Sequence, residues 1–318
     1  MTQLFSFSQR SLQLCLAVVT LLIATFAFLG DWEPNYATPL PLAPTHTVPA
    51  APPGLLHTVF MGDTGSGAPF QFAIRDQLLS LNQHSPYTAL FHVGDIIYPR
   101  GNYKSTGKAL YTDIYQPLWN QGVRFYPVLG NHDVVTGFEP GILKFYGMPQ
   151  RYYQTSLTEG ATTVDFFGID TNIPNDAAQR QWLEEALSQS TAPWKVVYGH
   201  HPLFSSGVHG DNTFLHPWLL PVFKKHGVQL YLAGHDHGYE RFAQRDGVIQ
   251  LVTGGGGAYL RGFSTVSKQS LVRIKLHNFL SLRFLPDTVT GIAIGSDGAV
   301  LDQFQLKRAA LVAPVGHS

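Results

Sequence analysis

The stretch HTVFMGDTG, residues 57–65, joins an apolar run to a glycine and then to an aspartate. Residues 57–61 predict a β-strand, because the run is short and is bounded by glycine. A helical pattern follows over residues 70–81, and a second short apolar run covers residues 88–93. The order strand, helix, strand predicts that the folded part of the chain begins as a layered α/β structure.

The same alternation continues toward the carboxyl terminus. We predict helices over residues 108–119, 176–188 and 214–225, and strands over residues 125–129, 162–169, 195–198 and 229–233. Beyond residue 248 the pattern predicts mostly strands, with Ser296-Asp297-Gly298 as a hairpin turn between residues 289–294 and 300–306. The expected fold class is therefore a sheet-based α/β core with a β-rich end.

The composition excludes several classes of protein. The chain has 318 residues, with 21 basic and 21 acidic side chains and a formal net charge of +0 at pH 7. This balance gives no electrostatic reason to expect a nucleic-acid partner. Hydrophobic residues make up 44% of the chain, which excludes disorder over most of its length. Cys15 is the single cysteine, so no intrachain disulfide can form, and we expect a monomer.

The amino-terminal region predicts an export segment followed by a linker. Residues 12–29 carry no charge, and as a helix of about 27 Å they approach the ~30 Å hydrocarbon core of a bilayer. Arg10 before this run and Asp31 after it favour export of the remainder. We therefore predict that residues 1–30 are a signal peptide or membrane anchor. The protein would be exported, periplasmic or secreted, and an uncleaved segment over residues 12–29 would tether it to a membrane.

The next segment is rich in proline. Residues 31–54 contain seven prolines and little periodic apolar pattern, which predicts an extended linker. The folded domain is then expected over residues 55–318.

Polar side chains follow five of the predicted strands, and each group comes directly after a glycine. In α/β sheets, ligands bind where the carboxyl ends of the strands open into loops. Buried nitrogen and oxygen donors in such number are costly unless a cation satisfies them. Carboxylate and imidazole ligands suit a hard or borderline transition metal ion. The candidate metal ligands are Asp63, Asp95, Tyr98, Asn131, His200, His235 and His237.

Five short segments carry a family resemblance: GDTG (62–65), GDIIY (94–98), GNHD (130–133), VYGH (197–200) and GHDH (234–237). In this order they resemble the five motifs of the calcineurin-like metallophosphoesterases. Thr64 and Gly65 after Asp63, and Tyr98 three residues after Asp95, are similar to the purple acid phosphatase branch in its short, tartrate-resistant single-domain form. The resemblance implies a four-layer αββα metallophosphoesterase sandwich of two mixed sheets flanked by helices. It makes residues 55–318 the catalytic domain.

The resemblance also implies a binuclear metal centre, Fe³⁺ with Fe²⁺, Zn²⁺ or Mn²⁺. The phenolate and carboxylate ligands would favour the ferric ion, and the neutral amide and imidazole ligands the divalent ion. By resemblance, the ferric ion is bound by Asp63, Tyr98 and His237. The divalent ion is bound by Asn131, His200 and His235, and Asp95 bridges the two ions.

The activity implied is that of an acid phosphatase, which hydrolyses a small-molecule phosphate monoester by attack of metal-bound hydroxide on phosphorus. His132, next to Asn131, and His209, nine residues after His200, match the family's outer histidines, which would assist the leaving group and hold the phosphate. Two alternatives stay open. The same site could hydrolyse diesters, nucleotides or pyrophosphates, or the chain could be a non-catalytic metal- or phosphate-binding protein.

Other polar residues receive structural interpretations. We expect His92 to be buried support within its strand and His201 to line the pocket rather than bind metal. Asp133 and Asp170 are expected to fix loops and second-layer histidines. The glycines at 254–257 either cradle phosphate through their N–H groups or simply end a strand.

Overall fold

The computed structural model describes residues 54–308. Two mixed β-sheets form its centre. The first has six strands, and β1 (Leu56–Met61) pairs in parallel with β2 (Ala89–His92), which pairs in parallel with β3 (Arg124–Pro127). Every residue of β1 and β2 is buried, because both faces of this sheet are covered.

The second sheet has seven strands, in the order β10-β8-β9-β7-β6-β5-β4. Its parallel part consists of β5 (Thr162–Gly168), β6 (Trp194–Tyr198), β7 (Leu230–Ala233) and β9 (Ile249–Thr253). Antiparallel strands extend it at both ends, namely β4 (Tyr153–Glu159), β8 (Tyr239–Phe242) and β10 (Ser270–Ile274).

The β-rich carboxyl-terminal part completes the first sheet, whose order is β13-β12-β11-β1-β2-β3. The strand β11 pairs antiparallel with β1, and β12 and β13 form the predicted hairpin. The bounds of these strands are Asn278–Phe284 for β11, Thr288–Gly295 for β12 and Val300–Lys307 for β13.

Helices cover the outer faces of the two sheets. On the first sheet lie α1 (Pro69–His84) and α2 (Asp113–Asn120), whose apolar residues pack with Val59 of β1. On the second sheet lie α5 (Ala177–Gln189) and α6 (His216–His226), which pack against Val197 of β6. A separate core between the sheets joins Phe60, Phe91 and Phe166. The layer order is thus helix, sheet, sheet, helix, and the predicted αββα sandwich is confirmed.

Local differences from the sequence prediction have physical causes. The helix predicted over residues 108–119 is a π-helical turn, Lys108–Thr112, followed by α2. Pro117 inside α2 has no N–H to bond to the preceding turn, which disfavours one regular helix here. The strand β4 was not predicted, because it is an edge strand with mostly exposed polar residues and lacks a continuous apolar run. Two short helices, α3 (Asn131–Val134) and α4 (Gly141–Tyr146), were also missed.

The predicted amino-terminal segments lie outside the described residues, except for Gly54 at the end of the linker. The export segment, residues 1–30, the linker, residues 31–54, and the domain over residues 55–318 therefore stay predictions. Between residues 54 and 308, no helix combines the length and the apolar character needed to cross a bilayer.

Candidate metal centre

The predicted ligands lie at the carboxyl ends of five parallel strands, three in the first sheet and two in the second. Asp63 follows β1, Asp95 follows β2, and Asn131 begins α3 just after β3. His200 follows β6 and His235 follows β7. The two sheets meet at this edge, where the main-chain N–H of His235 donates to Asp63 Oδ2 over 3.0 Å. The structure therefore brings together residues that are up to 174 positions apart.

One group of donor atoms surrounds the phenol oxygen of Tyr98. Its Oη lies 3.0 Å from Asp63 Oδ1, 2.9 Å from Asp95 Oδ2 and 3.0 Å from His237 Nε2. His237 Nε2 is also 3.3 Å from Asp63 Oδ1. These four side chains are the oxygen-rich half of the site.

A second group surrounds the amide oxygen of Asn131. Asn131 Oδ1 lies 3.0 Å from His200 Nε2 and 3.0 Å from His235 Nδ1, and the two ring nitrogens are 3.2 Å apart. Asp95 Oδ2 is 3.4 Å from His200 Nε2, so the Asp95 carboxylate faces both groups. The nitrogen-rich half of the site thus adjoins the oxygen-rich half through one shared carboxylate.

The donor chemistry fits cations. The Nδ1 of His200 donates to the carbonyl of Val93, and the Nδ1 of His237 donates to the carbonyl of Tyr259. In the neutral rings each Nε2 then carries a lone pair, which faces other acceptor atoms. Atoms bound to one ion at about 2.1 Å lie roughly 3 Å apart at right angles, as these atoms do. Lone pairs that converge in this way are stabilised by a cation.

The electrostatics of the site also fit cations. Burial, reinforced by the Asp63 and Asp95 carboxylates, raises the pKa of Tyr98 well above its usual value. Burial would lower the pKa of His200, yet Asp95 raises it to about 10. The two buried carboxylates contribute to both shifts, because together they create a strongly negative potential. Cations in this position would neutralise that potential and stabilise the phenolate.

The backbone at the site adopts unusual conformations. Asp63, Asp95 and His235 have positive φ angles of 59°, 54° and 69°, a region that L-residues rarely occupy. A Cβ on Gly130 would lie 2.1 Å from Asp95 Oδ1, and one on Gly234 would lie 2.3 Å from Asp63 Oδ2. Glycine is therefore required at these two positions because the carboxylates pack directly against the backbone.

Two further histidines flank the donor groups. The ring of His132 lies 4.5 Å from that of Tyr98, and its Nδ1 contacts the carbonyl of Pro99 at 2.6 Å. The ring of His209 stacks on that of His235, with centroids 4.0 Å apart and an interplanar angle of 30°. The structure thus places both predicted catalytic histidines beside predicted ligands.

The residues given structural interpretations also occupy defined places. His92 is buried and its Nε2 bonds to the Thr64 hydroxyl. Asp133 accepts main-chain N–H groups of Ile96 and Gly130, so it fixes the loops after β2 and β3. Among residues 54–308 its carboxylate makes no hydrogen bond to a histidine side chain, because main-chain N–H groups and the Tyr146 hydroxyl occupy it.

Asp170 pairs with Arg151 and accepts the main-chain N–H of Asn172, and within the described part of the chain it makes no hydrogen bond to a histidine. His201 Nδ1 bonds to the Thr171 hydroxyl at 2.7 Å, although a ligand nitrogen of His201 lies within 4.8 Å of those of His200 and His235. In the stretch 254–257, the N–H groups of Gly254 and Gly256 donate to main-chain carbonyls. These two groups end the strand rather than cradle phosphate.

Asp236 lies within the motif GHDH, and no role was predicted for it. Its carboxylate bonds to His209 Nδ1 at 2.8 Å and to the Ser205 hydroxyl. The only sequence signal was its position between two predicted ligands.

Comparisons with known proteins agree with this site. Purple acid phosphatase 17 of Arabidopsis thaliana is 29% identical over 244 residues, which cover 66% of this chain and 70% of that protein. Tartrate-resistant acid phosphatase type 5 of Mus musculus is 26% identical over 248 residues, which cover 67% of this chain and 76% of that protein. The fold and the site thus define a metallophosphoesterase, a class of hydrolase.

The family follows from the match to its model. The chain belongs to the calcineurin-like phosphoesterase family, whose model matches residues 56–239. Among its relatives are the purple acid phosphatases named above, so the predicted resemblance is confirmed.

Solved structures show the same fold at low identity. A purple acid phosphatase, PPD1 from yellow lupin (Lupinus luteus) seeds, has a TM-score of 0.71 at 20% identity, covering 83% of this chain and 56% of that one. A Plasmodium protein, GAP50, described as the anchor in the inner membrane complex, has a TM-score of 0.73 at 21% identity, covering 80% and 89%.

Proposed function

We propose that this chain is a binuclear-metal acid phosphatase that hydrolyses phosphate monoesters. The observation that carries the proposal is the Asp95 carboxylate, which faces both the oxygen-rich group around Tyr98 and the nitrogen-rich group around Asn131. Two adjoining donor sets with one shared carboxylate are what a pair of neighbouring cations requires. The ligand set is Asp63, Asp95, Tyr98, Asn131, His200, His235 and His237.

The two halves of the site would bind different ions. Asp63, Tyr98 and His237 would hold Fe³⁺, with Asp95 shared between the two ions, since anionic oxygen ligands favour the harder ion. The amide of Asn131 and two imidazoles suit Fe²⁺, Zn²⁺ or Mn²⁺. When bound, the ions acidify water to supply a nucleophilic hydroxide and neutralise the charge on the phosphoryl oxygens.

The outer histidines complete the site on the side of the substrate. His132 and His209 each use Nδ1 in a bond to the protein, so each can present Nε2 to a phosphate ester. The Nδ1–H of His132 donates to the carbonyl of Pro99, so the ring could donate a second hydrogen bond, from Nε2 to the phosphate, only when both nitrogens carry protons. His209 Nδ1 is held by the Asp236 carboxylate, an arrangement that suits proton transfer to the leaving group through Nε2.

A spectrum with metal analysis tests the centre. Two metal ions per chain and a visible absorption band from tyrosinate bound to iron are expected in the purified protein. The band should disappear in Tyr98→Phe, while Tyr103→Phe, which changes a half-buried loop tyrosine bonded to Glu139, should keep it. A colourless protein with two zinc or two manganese ions would contradict the ferric assignment.

Two other functions have weaker support. The same donor set could serve phosphodiesters, nucleotides or pyrophosphates, since substrate range depends on the surrounding loops. Turnover on an aryl phosphate monoester should exceed that on the matching diester by at least tenfold, and the reverse ratio would favour the alternative. GAP50, a neighbour in fold, is named as an anchor, and a fold does not by itself imply catalysis. Absence of hydrolysis by the metal-loaded protein would favour the second alternative, a non-catalytic metal- or phosphate-binding protein.

We further propose that residues 1–30 direct export of the chain, and that it acts as a monomer on small-molecule phosphate esters. Its neutral net charge supports the absence of a nucleic-acid partner. Cell fractionation of the full chain should place the activity outside the cytoplasm, in membrane or soluble fractions according to whether residues 12–29 are retained. Removal of residues 1–30 should leave the activity in the cytoplasm.

A further inference from the structure

Asp236 lies between His235 and His237 in the chain, yet its carboxylate turns away from the donor groups. Asp236 Oδ1 is 2.8 Å from His209 Nδ1, and it also accepts the main-chain N–H of His209 over 3.3 Å. The Asp236 side chain is only 7% exposed and that of His209 is 33% exposed. The carboxylate therefore lies beneath an accessible histidine.

The position of this carboxylate is set by its surroundings. The Ser205 hydroxyl donates to Asp236 Oδ2 and itself accepts the N–H of Gly207. A Cβ on Gly207 would lie 2.2 Å from Asp236 Cγ, so the loop approaches the carboxylate closely. These contacts favour one orientation of the carboxylate before any ligand binds.

This arrangement determines which ring nitrogen of His209 carries a proton. An ionised carboxylate can only accept, so His209 Nδ1 must carry the proton of their bond. Stacking on His235 sets the plane of the ring, which leaves Nε2 as the atom available to a substrate. His132 differs because the partner of its Nδ1 is the uncharged carbonyl of Pro99.

We propose that Asp236 is a positioning residue, which holds His209 in the orientation and the Nδ1–H tautomer that proton transfer from Nε2 requires. This inference rests on the proposed function. As the P–O bond breaks, its electron pair passes to the leaving oxygen, which takes the Nε2 proton of the His209 imidazolium. The ring becomes neutral, keeps its Nδ1–H on Asp236, and regains a proton from water.

Leaving-group dependence tests this proposal in the full-length, metal-loaded protein. Asp236→Ala should lower kcat by about 10²-fold for an alkyl phosphate, whose alkoxide needs a proton. For 4-nitrophenyl phosphate, whose leaving group needs little help, the loss should be below about threefold. KM should change by less than about twofold in both cases. His209→Ala should reproduce this selectivity, and the double variant should be no slower than His209→Ala, because the two residues act as a unit.

Glu240→Gln is a matched control. Glu240 is a buried carboxylate on the neighbouring strand β8, and it accepts the N–H of Ser206 without contacting His209. This variant should show the same fold-change for both esters. Equal losses for both esters in Asp236→Ala, or loss of its bound metal, would overturn the positioning role.

A measurement without turnover separates the two proposals. In ¹⁵N NMR of the protein loaded with diamagnetic Zn²⁺, His209 should show a protonated Nδ1 in the wild type and a tautomer mixture in Asp236→Ala. A mixture in the wild type would overturn the inference. If the wild type hydrolyses neither ester, the proposed function fails, while the NMR result still decides whether Asp236 sets the tautomer.

Discussion

Asp63, Asp95 and His235 carry backbone strain at the site. Their positive φ angles cost roughly 1–3 kcal/mol each in non-glycine residues. The strain persists because main-chain bonds hold these turns, as in the bond from Asp63 N to the carbonyl of Gly94. These turns aim the side chains at common points, and ligand binding would offset part of the cost.

The close approach of Gly130 to Asp95 leads to a prediction at this scale. In Gly130→Ala the new Cβ would displace Asp95 Oδ1, since the two would be 2.1 Å apart. Bound metal and turnover should each fall at least tenfold, as measured by elemental analysis and an aryl phosphate assay. Gly262→Ala, whose Cβ meets nothing within 4 Å, should change neither by more than about twofold. A wild-type metal content in Gly130→Ala would contradict the displacement.

At the scale of elements, β1 connects the site to a buried polar contact at its other end. His57 on β1 bonds through Nε2 to Ser281 of β11 at 2.8 Å and through Nδ1 to the carbonyl of Pro86 at 3.1 Å. Burial, with the nearby Arg283 guanidinium, lowers the pKa of His57 to about 4. The folded protein therefore keeps this histidine neutral over a range where the unfolded chain binds a proton.

The sign of the pH effect follows from that difference. Between pH of about 6.5 and 4 the unfolded state binds more protons, so stability falls as pH falls. Over this range His57 should reduce the free energy of unfolding by up to roughly 3 kcal/mol. Urea unfolding at several pH values should show a flatter dependence in His57→Gln. The exposed control His84→Gln should keep the wild-type slope, and an equal slope in all three proteins would contradict the assignment.

At the scale of the whole molecule, the metal site depends on how the two sheets are packed. Phe91 of the first sheet stacks on Phe166 of the second with ring centroids 4.1 Å apart, and on Phe60 at 4.8 Å. This contact holds together the two sheets that supply the ligands.

Removing this contact should destabilise the fold. Phe91→Ala should lower the free energy of unfolding by about 3–5 kcal/mol, because a buried ring is replaced by a cavity. Phe214→Ala, at a side chain 78% exposed, should change it by less than about 0.5 kcal/mol. Urea denaturation measures both, and a small effect in Phe91→Ala would show that the core repacks.

Metal removal acts on the same whole-molecule stability. Ions that bind only the folded state contribute about 2.7 kcal/mol at a hundredfold excess over Kd, which corresponds to roughly 5–10 °C in Tm for a domain of this size. Chelation should therefore lower Tm, and added metal should restore it. Chelation should lower the Tm of Asp95→Asn less than that of the wild type. It should lower the Tm of Asp246→Asn, which changes an exposed surface residue, as much as that of the wild type. An unchanged Tm after verified metal removal would contradict this coupling.

The sequence by itself determined the succession of most strands and helices, because apolar periodicity and glycine positions are local signals. It also indicated the polar side chains after five strands, since each motif is contiguous. The edge strand β4 and the π-helical turn before α2 were not predicted, because exposure and hydrogen bonding at these places depend on neighbouring elements.

Only the tertiary structure decided which donor atoms face each other. Tyr98 and His237 are 139 residues apart, and their contact exists because two sheets pack face to face. The partner of Asp236 was likewise undetermined from sequence, since a carboxylate between two predicted ligands could turn toward either side of its strand end. The orientation of such side chains depends on packing and rotamers set by distant residues, which no local pattern records.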